Sequence, residues 1–339
     1  LIQTEDQLEE LLSRPSPEDT SAMQTLEGDL LILGVGGKMG PSLARRAHRA
    51  IVQAGVNKRV IAVARFTNHS LIGALEREGI ETMARDLLEP SAMAALPDVP
   101  NVIFMAAKKF GTTGAEAYTW AMNTYLPGLV AERFRGSRIV AFSTGNVYPL
   151  RPIDQGGAAE STPVEPVGEY AQSALGRERM FEYGSEQWQT PVVLLRLNYA
   201  VELRYGVLLD IGLAVWGGRP VDQRMAMVNV IWQGDANSVC LRSFAHCQSP
   251  PAVFNLTGPE ILSVRYISER FGERFGAKPK YRGPESSIAL LSNAIKAHQL
   301  FGYPAVTPDQ VIDWTADWII RGGPTYNQPT HFQTMDGKF

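Results

Sequence analysis

The 339-residue chain is poor in cysteine: Cys240 and Cys247 are too few, and wrongly spaced, for a disulfide framework or a zinc site. Its histidines, His48, His69, His246, His298 and His331, form no i,i+4 pair and no cluster with acids, so no metal is expected. There is no basic excess. Lys and Arg number 32 against 35 Asp and Glu, a net charge of −3, which argues against nucleic acid as a partner. No apolar run approaches the roughly 20 residues of a membrane span. The longest candidate, residues 206–217, is interrupted by Asp210, so no membrane partner is expected. The first dozen residues are acidic and helical in spacing, unlike a secretory or transit leader, and the two thiols suit a reducing compartment. A cytoplasmic protein is expected.

A local absence says more than these global ones. Residues 30–66 contain no Asp or Glu, yet hold Lys38, Arg45, Arg46, Arg49, Lys58, Arg59 and Arg65. The preceding segment carries Glu5, Asp6, Glu9, Glu10, Glu18, Asp19, Glu27 and Asp29 against Arg14 alone. Two readings follow: solvated faces that pair with one another, or a basic surround for a polyanion such as a dinucleotide.

With 45% hydrophobic residues there is ample material for a core, and the length suits one large α/β unit with a second lobe. Residues 1–28 read as a helical extension: Leu8, Leu11 and Leu12 form an apolar edge, and Ser16-Pro17-Glu18-Asp19 starts a second helix. Strands are expected at 29–33, 59–64, 102–106, 138–142 and 191–197. Helices at 41–54, 70–78, 116–134 (kinked or broken at Pro127) and after Val167 alternate with them. That alternation predicts an α/β, doubly wound parallel sheet of the Rossmann type over 29–197. A smaller, interleaved substrate lobe follows over 198–227 and 258–321, with returning strands near 228–257 and an irregular tail at 322–339.

The first strand runs into Gly34-Val35-Gly36-Gly37-Lys38-Met39-Gly40 and then a helix with Pro41 in its first turn. Glycines permit a tight turn and close backbone approach to a pyrophosphate, while the helix start offers N–H donors and positive dipole. The spacing Gly34-x-x-Gly37-x-x-Gly40 differs from the ordinary dinucleotide fingerprint, which needs glycine where Met39 stands. An NAD site usually places an acid at the end of the second strand for the ribose hydroxyls. Arg65 stands there instead, where a guanidinium can grip a 2′-phosphate, so NADP is preferred over NAD. Asp86 is a candidate acceptor for the adenine amino group, with Leu87 beside it.

These features, with Met105-Ala106-Ala107 after the fourth strand, Asn123 in the next helix, Ser143-Thr144-Gly145-Asn146-Val147-Tyr148 and Tyr170, follow one another in a familiar order. The chain resembles the extended short-chain dehydrogenase/reductase family, specifically its NAD(P)-dependent sugar epimerase/dehydratase group, over roughly residues 29–320. The resemblance implies that Tyr170 exchanges a hydroxyl proton while hydride moves to or from the nicotinamide, with Thr144 bonded to the same oxygen. It further implies cofactor contacts from Gly34, Gly36, Gly37, Lys38, Met39, Gly40, Arg65, Asp86, Leu87, Ala106, Ala107, Lys109, Asn123 and Tyr170. Substrate contacts fall on Ser143, Thr144, Asn198 and Arg224, with Tyr199, Arg204 and Arg219 as further candidates. The substrate would be a sugar, nucleotide sugar or polyol, and helices 116–134 and 167–182 would form a homodimer.

Two departures stand out. The family pattern is Tyr-x-x-x-Lys, and Ala174 occupies the lysine position. Lys108, Lys109 or Arg177 could supply the missing cation. Otherwise the protein is a catalytically reduced NAD(P)-binding sensor or scaffold, or the alanine is an introduced change. The sugar-nucleotide 4,6-dehydratases of the family carry Asp-Glu where this chain has Gly145-Asn146, which disfavours dehydration. Epimerisation through a ketone, or simple alcohol oxidation and ketone reduction, remains.

Overall fold

The structure, a computed structural model, describes residues 2–338; Leu1 and Phe339 lie outside the described residues. Seven strands form the main sheet: β1 (Leu30–Leu33), β2 (Val60–Ala64), β3 (Glu81–Ala84), β4 (Asn101–Phe104), β5 (Arg138–Thr144), β6 (Val192–Leu197) and β7 (Ala252–Leu256). All pairings are parallel, in the spatial order 7-6-5-4-1-2-3. The order reverses between β1 and β4, and ligands of open α/β sheets bind outside the strand ends at such a point. The apolar runs are continuous because helices cover both faces: β1, β2 and β4 are buried at every residue.

The helices are α1 (Glu5–Ser13), α2 (Pro17–Thr25), α3 (Gly40–Gln53), α4 (Ser70–Arg77), α5 (Pro90–Ala94), α6 (Glu116–Trp120), α7 (Leu126–Arg133), α8 (Gly168–Trp188), α9 (Val207–Trp216), α10 (Gln233–Arg242), α11 (Val264–Phe275), α12 (Ile295–Phe301) and α13 (Pro308–Ile320). Between α6 and α7 the helix does not break at Pro127; it passes through a π-helical turn, Ala121–Tyr125, ahead of the proline. Pro127 then sits in the first turn of α7, where its missing N–H costs little.

Several boundaries differ from the sequence reading. β4 stops at Phe104, so Met105–Lys109 is loop, and β5 continues to Thr144. The β3 edge strand was not expected, since Glu81-Thr82-Met83-Ala84 is short and solvent-facing. Of the expected returning strands only β7 joins the sheet. Residues 228–231 divide into Met227–Val228, paired antiparallel with Leu262–Ser263, and Ile231–Trp232, paired with Ala200–Val201.

The acid-rich extension resolves the charge asymmetry. Arg45 pairs with Glu9 and Glu78, Arg49 with Glu10, and Arg59 with Asp29 and Glu81. Arg46 and Asp19 form a buried pair at 2.6 Å, and Lys58 donates to the Met23 and Leu26 carbonyls. Five of the seven cations in the acid-free stretch are thus occupied by intramolecular partners, and Lys38 and Arg65 are left for the cleft. Leu8 and Leu12 of α1 lie in the core of the second lobe, while Met23 of α2 lies in a core on the sheet, so the extension joins the two.

The tail beyond α13 has no regular structure, as expected, yet it is packed. Thr330 donates through N–H and hydroxyl to Asp210, Phe332 is buried, and Gly337 touches the backbone of Val167 and Gly168.

Candidate active site

β1 ends at Leu33, and Gly34 turns the chain at φ +95° while its N–H donates to Val63 of β2 at 2.8 Å. A Cβ on Gly34 would lie 2.5 Å from the Ala106 backbone nitrogen, so the loop and the end of β4 meet too closely for any side chain. At the other end of the loop, a Cβ on Gly40 would lie 2.1 Å from the Val35 carbonyl oxygen. The first turn of α3 has no side-chain cap, so its N–H groups remain available to an anion. Gln233 and Asn237 of α10 both donate to Ser42, pinning that helix start.

From this loop a groove runs in two directions. Toward β2 and β3 lies a cavity of about 260 Å³ lined by Gly34, Gly36, Gly37, Arg65, Thr67, Asn68, Arg85, Asp86, Leu87, Ala106 and Ala107. Arg65 donates to the Tyr118 hydroxyl at 3.0 Å. One Asp86 oxygen caps the turn at the Leu88 N–H. Toward β5 and the second lobe lies a cavity of about 320 Å³ lined by Gly37, Lys38, Met39, Ala107, Lys109, Ser143, Thr144, Asn146, Tyr170, Arg177, Asn198, Tyr199, Tyr205 and Thr330. The two share Gly37, Met105 and Ala107, forming one crevice across the sheet's switch point. Arg85, Tyr205 and the tail residue Thr330 were not anticipated; only their fold neighbours reveal them.

Tyr170, in the first turn of α8, is buried, and burial raises its phenol above the usual range; the Arg177 guanidinium and the Thr144 hydroxyl pull it back. Thr144 Oγ1 also accepts the Asn146 N–H at 3.2 Å, so it caps the following turn as well as facing Tyr170. The Lys109 ammonium lies 5.7 Å from the Tyr170 ring centroid, and that of Lys38 lies 4.1 Å from the Tyr205 ring centroid.

Other expected site residues are held elsewhere. Asn123 is wholly buried and clamps the loop after β4: it accepts from the Lys108 N–H and Arg177, and donates to the Lys108 carbonyl and Ser173. All its hydrogen-bonding capacity is taken by protein, so it holds the loop after β4 in shape. Ser143 lines the cleft, but its hydroxyl donates to Glu178. Asn198 borders the cleft while its amide donates to Asn229 at 2.9 Å and the Leu290 carbonyl at 3.3 Å. Arg224 does not line the cleft; Asp222 grips its Nε and Nη2 at the surface. Arg204 is taken by Glu202, Glu5 and Glu9.

Burial pushes Lys38 down to about 8, and it pushes Lys109 to about 8 with help from Lys38 and partial opposition from Asp210. Affinity for an anionic ligand in this cleft should therefore fall as the pH rises through about 8. The fall should be up to about tenfold per pH unit for each proton that binding must take up. The ligand-free chain should show the opposite trend. Above about 8 the folded lysines shed protons that the unfolded chain keeps, so its stability rises with pH toward the ordinary lysine range. Calorimetric titration and denaturant melts between pH 7 and about 10 check both signs.

A glycine loop at a switch point, a crevice running both ways from it, and a Tyr–Thr pair at one end are the features of a Rossmann-type nicotinamide-dependent enzyme. Residues 30–201 match the family described as NAD dependent epimerase/dehydratase, and the chain belongs to that family. No curated protein matches the sequence at a significant level.

Among solved structures, UDP-glucose 4-epimerase of Thermotoga maritima with UDP-glucose aligns at TM-score 0.70 and 16% identity, covering 87% of this chain and 99% of that one. UDP-glucuronic acid 4-epimerase of Bacillus cereus with UDP-glucuronic acid and NAD aligns at 0.71 and 16%, covering 86% and 99%. UDP-glucose 4-epimerase of Thermus thermophilus with NAD aligns at 0.68 and 16%, covering 85% and 98%. At these identities the likeness is one of fold. No helix among the described residues is long and apolar enough to cross a membrane.

Proposed function

We propose that this chain transfers hydride at an alcohol carbon of a sugar, nucleotide sugar or related polyol, either inverting it through a transient ketone to which the hydride returns or simply oxidising the alcohol and reducing the ketone, and that it acts as a homodimer through α6, α7 and α8. The observation that carries the reading is the placement of Tyr170 and Thr144 in one cleft with the glycine loop. Bound nicotinamide cofactor supplies hydride transfer. The protein's part is to hold the cofactor phosphates on the loop and α3, to keep water from the reacting carbon, and to move one proton at the Tyr170 oxygen. Thr144 bonds the same oxygen and orients the substrate hydroxyl. Gly145 and Asn146 offer no carboxyl for water elimination, which disfavours dehydration. The nucleotide-sugar ligands of the similar structures, and the cationic lining from Lys38 and Lys109, support an anionic substrate.

The cofactor reading is NADP in preference to NAD, because Arg65 and Arg85 line the ribose end of the groove and no acid ends β2. Charge-assisted hydrogen bonds of about 1.5–3 kcal/mol translate to roughly 10–150-fold in affinity. Arg65→Ala should weaken NADP by about that factor and leave NAD within about threefold, as measured by calorimetry. Tighter NAD binding by the unmodified chain would overturn the preference. Failure to bind either cofactor would overturn the function. Screening nucleotide sugars with absorbance detection of the reduced cofactor then tests the substrate class.

A further inference from the structure

Arg177 is a buried cation with an unusual set of partners. Its Nη1 donates to the Phe142 carbonyl at 2.7 Å and its Nη2 to Asn123 Oδ1 at 3.1 Å, while Nε is buried with no hydrogen-bond partner. Among the described residues no carboxylate pairs with it. The adjacent Glu178 is wholly buried and engaged by Arg196 through Nε and Nη2. A guanidinium held in the interior without a counter-ion is expensive unless an anion forms nearby. Arg177 lines the same cleft as Tyr170, and the phenol is the group there whose ionised form it can compensate.

Helix geometry explains how it gets there. Tyr170, Ser173, Ala174 and Arg177 fall on one face of α8, and helical side chains lean toward the N-terminus. Arg177 therefore reaches back to the level of Ser173, with which it shares the Asn123 side chain. Ala174 at that level is sealed in an apolar cluster with Val147, Tyr148 and Ala158.

We propose that Arg177 is the positioning residue that stabilises the anionic form of Tyr170, taking from the next helical turn the place that Ala174 leaves without a charge. This rests on the reading of Tyr170 as the proton-transfer group. The other groups facing Tyr170 do not do the same work. Lys109, from the loop after β4, and Lys38, from the glycine loop, are both pushed down to about 8 and lose their charge before a tyrosine ionises. Tyr205, ahead of α9, opposes a phenolate, Asp210 on α9 acts on Lys109 and Tyr205, and Thr144 on β5 is a neutral donor. Glu178, next along α8, favours the Arg177 charge through space, but its oxygens are committed to Arg196 and Ser143. Burial lowers the Arg177 guanidinium too, with Tyr170 and Glu178 pulling it back, but arginine starts well above the lysine range and keeps its charge longer than either lysine.

The test follows the Tyr170 ring by NMR in the full chain carrying ¹³Cζ-labelled tyrosine, without cofactor, its resonance assigned by Tyr170→Phe. Arg177→Gln should raise the titration midpoint by at least about one pH unit, leaving Tyr170 neutral where the parent has begun to ionise. Lys109→Met should move it less. An unchanged midpoint in Arg177→Gln, shown folded by circular dichroism, overturns the proposal. So does a larger effect from Lys109→Met. If Arg177→Gln does not fold, Arg177→Lys keeps a donor but carries a buried ammonium that discharges at alkaline pH. Its midpoint should again rise, and an unchanged one overturns the proposal. Full turnover by Tyr170→Phe would instead sink the functional reading without altering the titration result, so the two failures are separable.

Discussion

Tyr170→Phe lowers kcat by about 10²–10⁴-fold, the usual contribution of a positioned general acid–base group, while cofactor affinity stays within about twofold. The substitution removes one oxygen from a buried ring and leaves its packing in place. Thr144 is a hydroxyl already accepting the Asn146 N–H, and whatever proton exchange Lys109, pushed down to about 8, can provide sets the residual rate. Single-turnover kinetics with whichever substrate the screen identifies, alongside calorimetric binding of the cofactor, checks both halves. A variant that turns over normally would remove Tyr170 from the chemistry.

Glu178→Ala is expected to cost about 3–5 kcal/mol of stability, because removing one partner of a buried ion pair strands the other. Its carboxylate accepts from Arg196 Nε at 3.0 Å and Nη2 at 2.7 Å, and from the Ser143 hydroxyl. Arg196 Nη1 in turn donates to the Tyr148 hydroxyl at 2.7 Å, and Tyr148 donates to Asn255 at 2.8 Å. The network ties α8 to β5, β6 and β7 directly beneath the cleft. A urea midpoint that drops with an unchanged m-value verifies the loss. Replacing both charges together, as in Glu178→Leu with Arg196→Met, should recover most of it, because neither ion is then left unpaired.

Much of the dinucleotide half of the protein was legible in the sequence because its signals are local. A strand, a glycine turn and a proline-started helix occupy adjacent residues 30–53, and Arg65 follows an uninterrupted apolar strand. The side of the cleft facing the second lobe is less legible because its residues converge from distant segments. Tyr205 and Thr330 carry no motif, and nothing in the local pattern around Arg224 shows that Asp222, two positions away, holds it. The acid-free stretch was ambiguous for the same reason. Sequence shows that seven cations cluster, but only the packing of α1 and α2 on α3 shows that most of them face carboxylates or carbonyls of the same chain. Ser143 lines the cleft and Asn123 clamps the loop after β4, yet their hydrogen-bonding capacity is spent on neighbours that no local pattern specifies.

The tail has a consequence for the order in which the molecule is assembled. Gly337 meets Val167 and Gly168 across most of the second half of the chain, and Thr330 completes the cleft from the same segment. Folding proceeds from the N-terminal end during synthesis, so the glycine loop, β1, β2 and β4 can form long before this wall exists. A nascent chain would thus pass through a stage with a cofactor groove but an open substrate side. The cleft gains this wall only when residues 330–337 return to the helix that carries Tyr170.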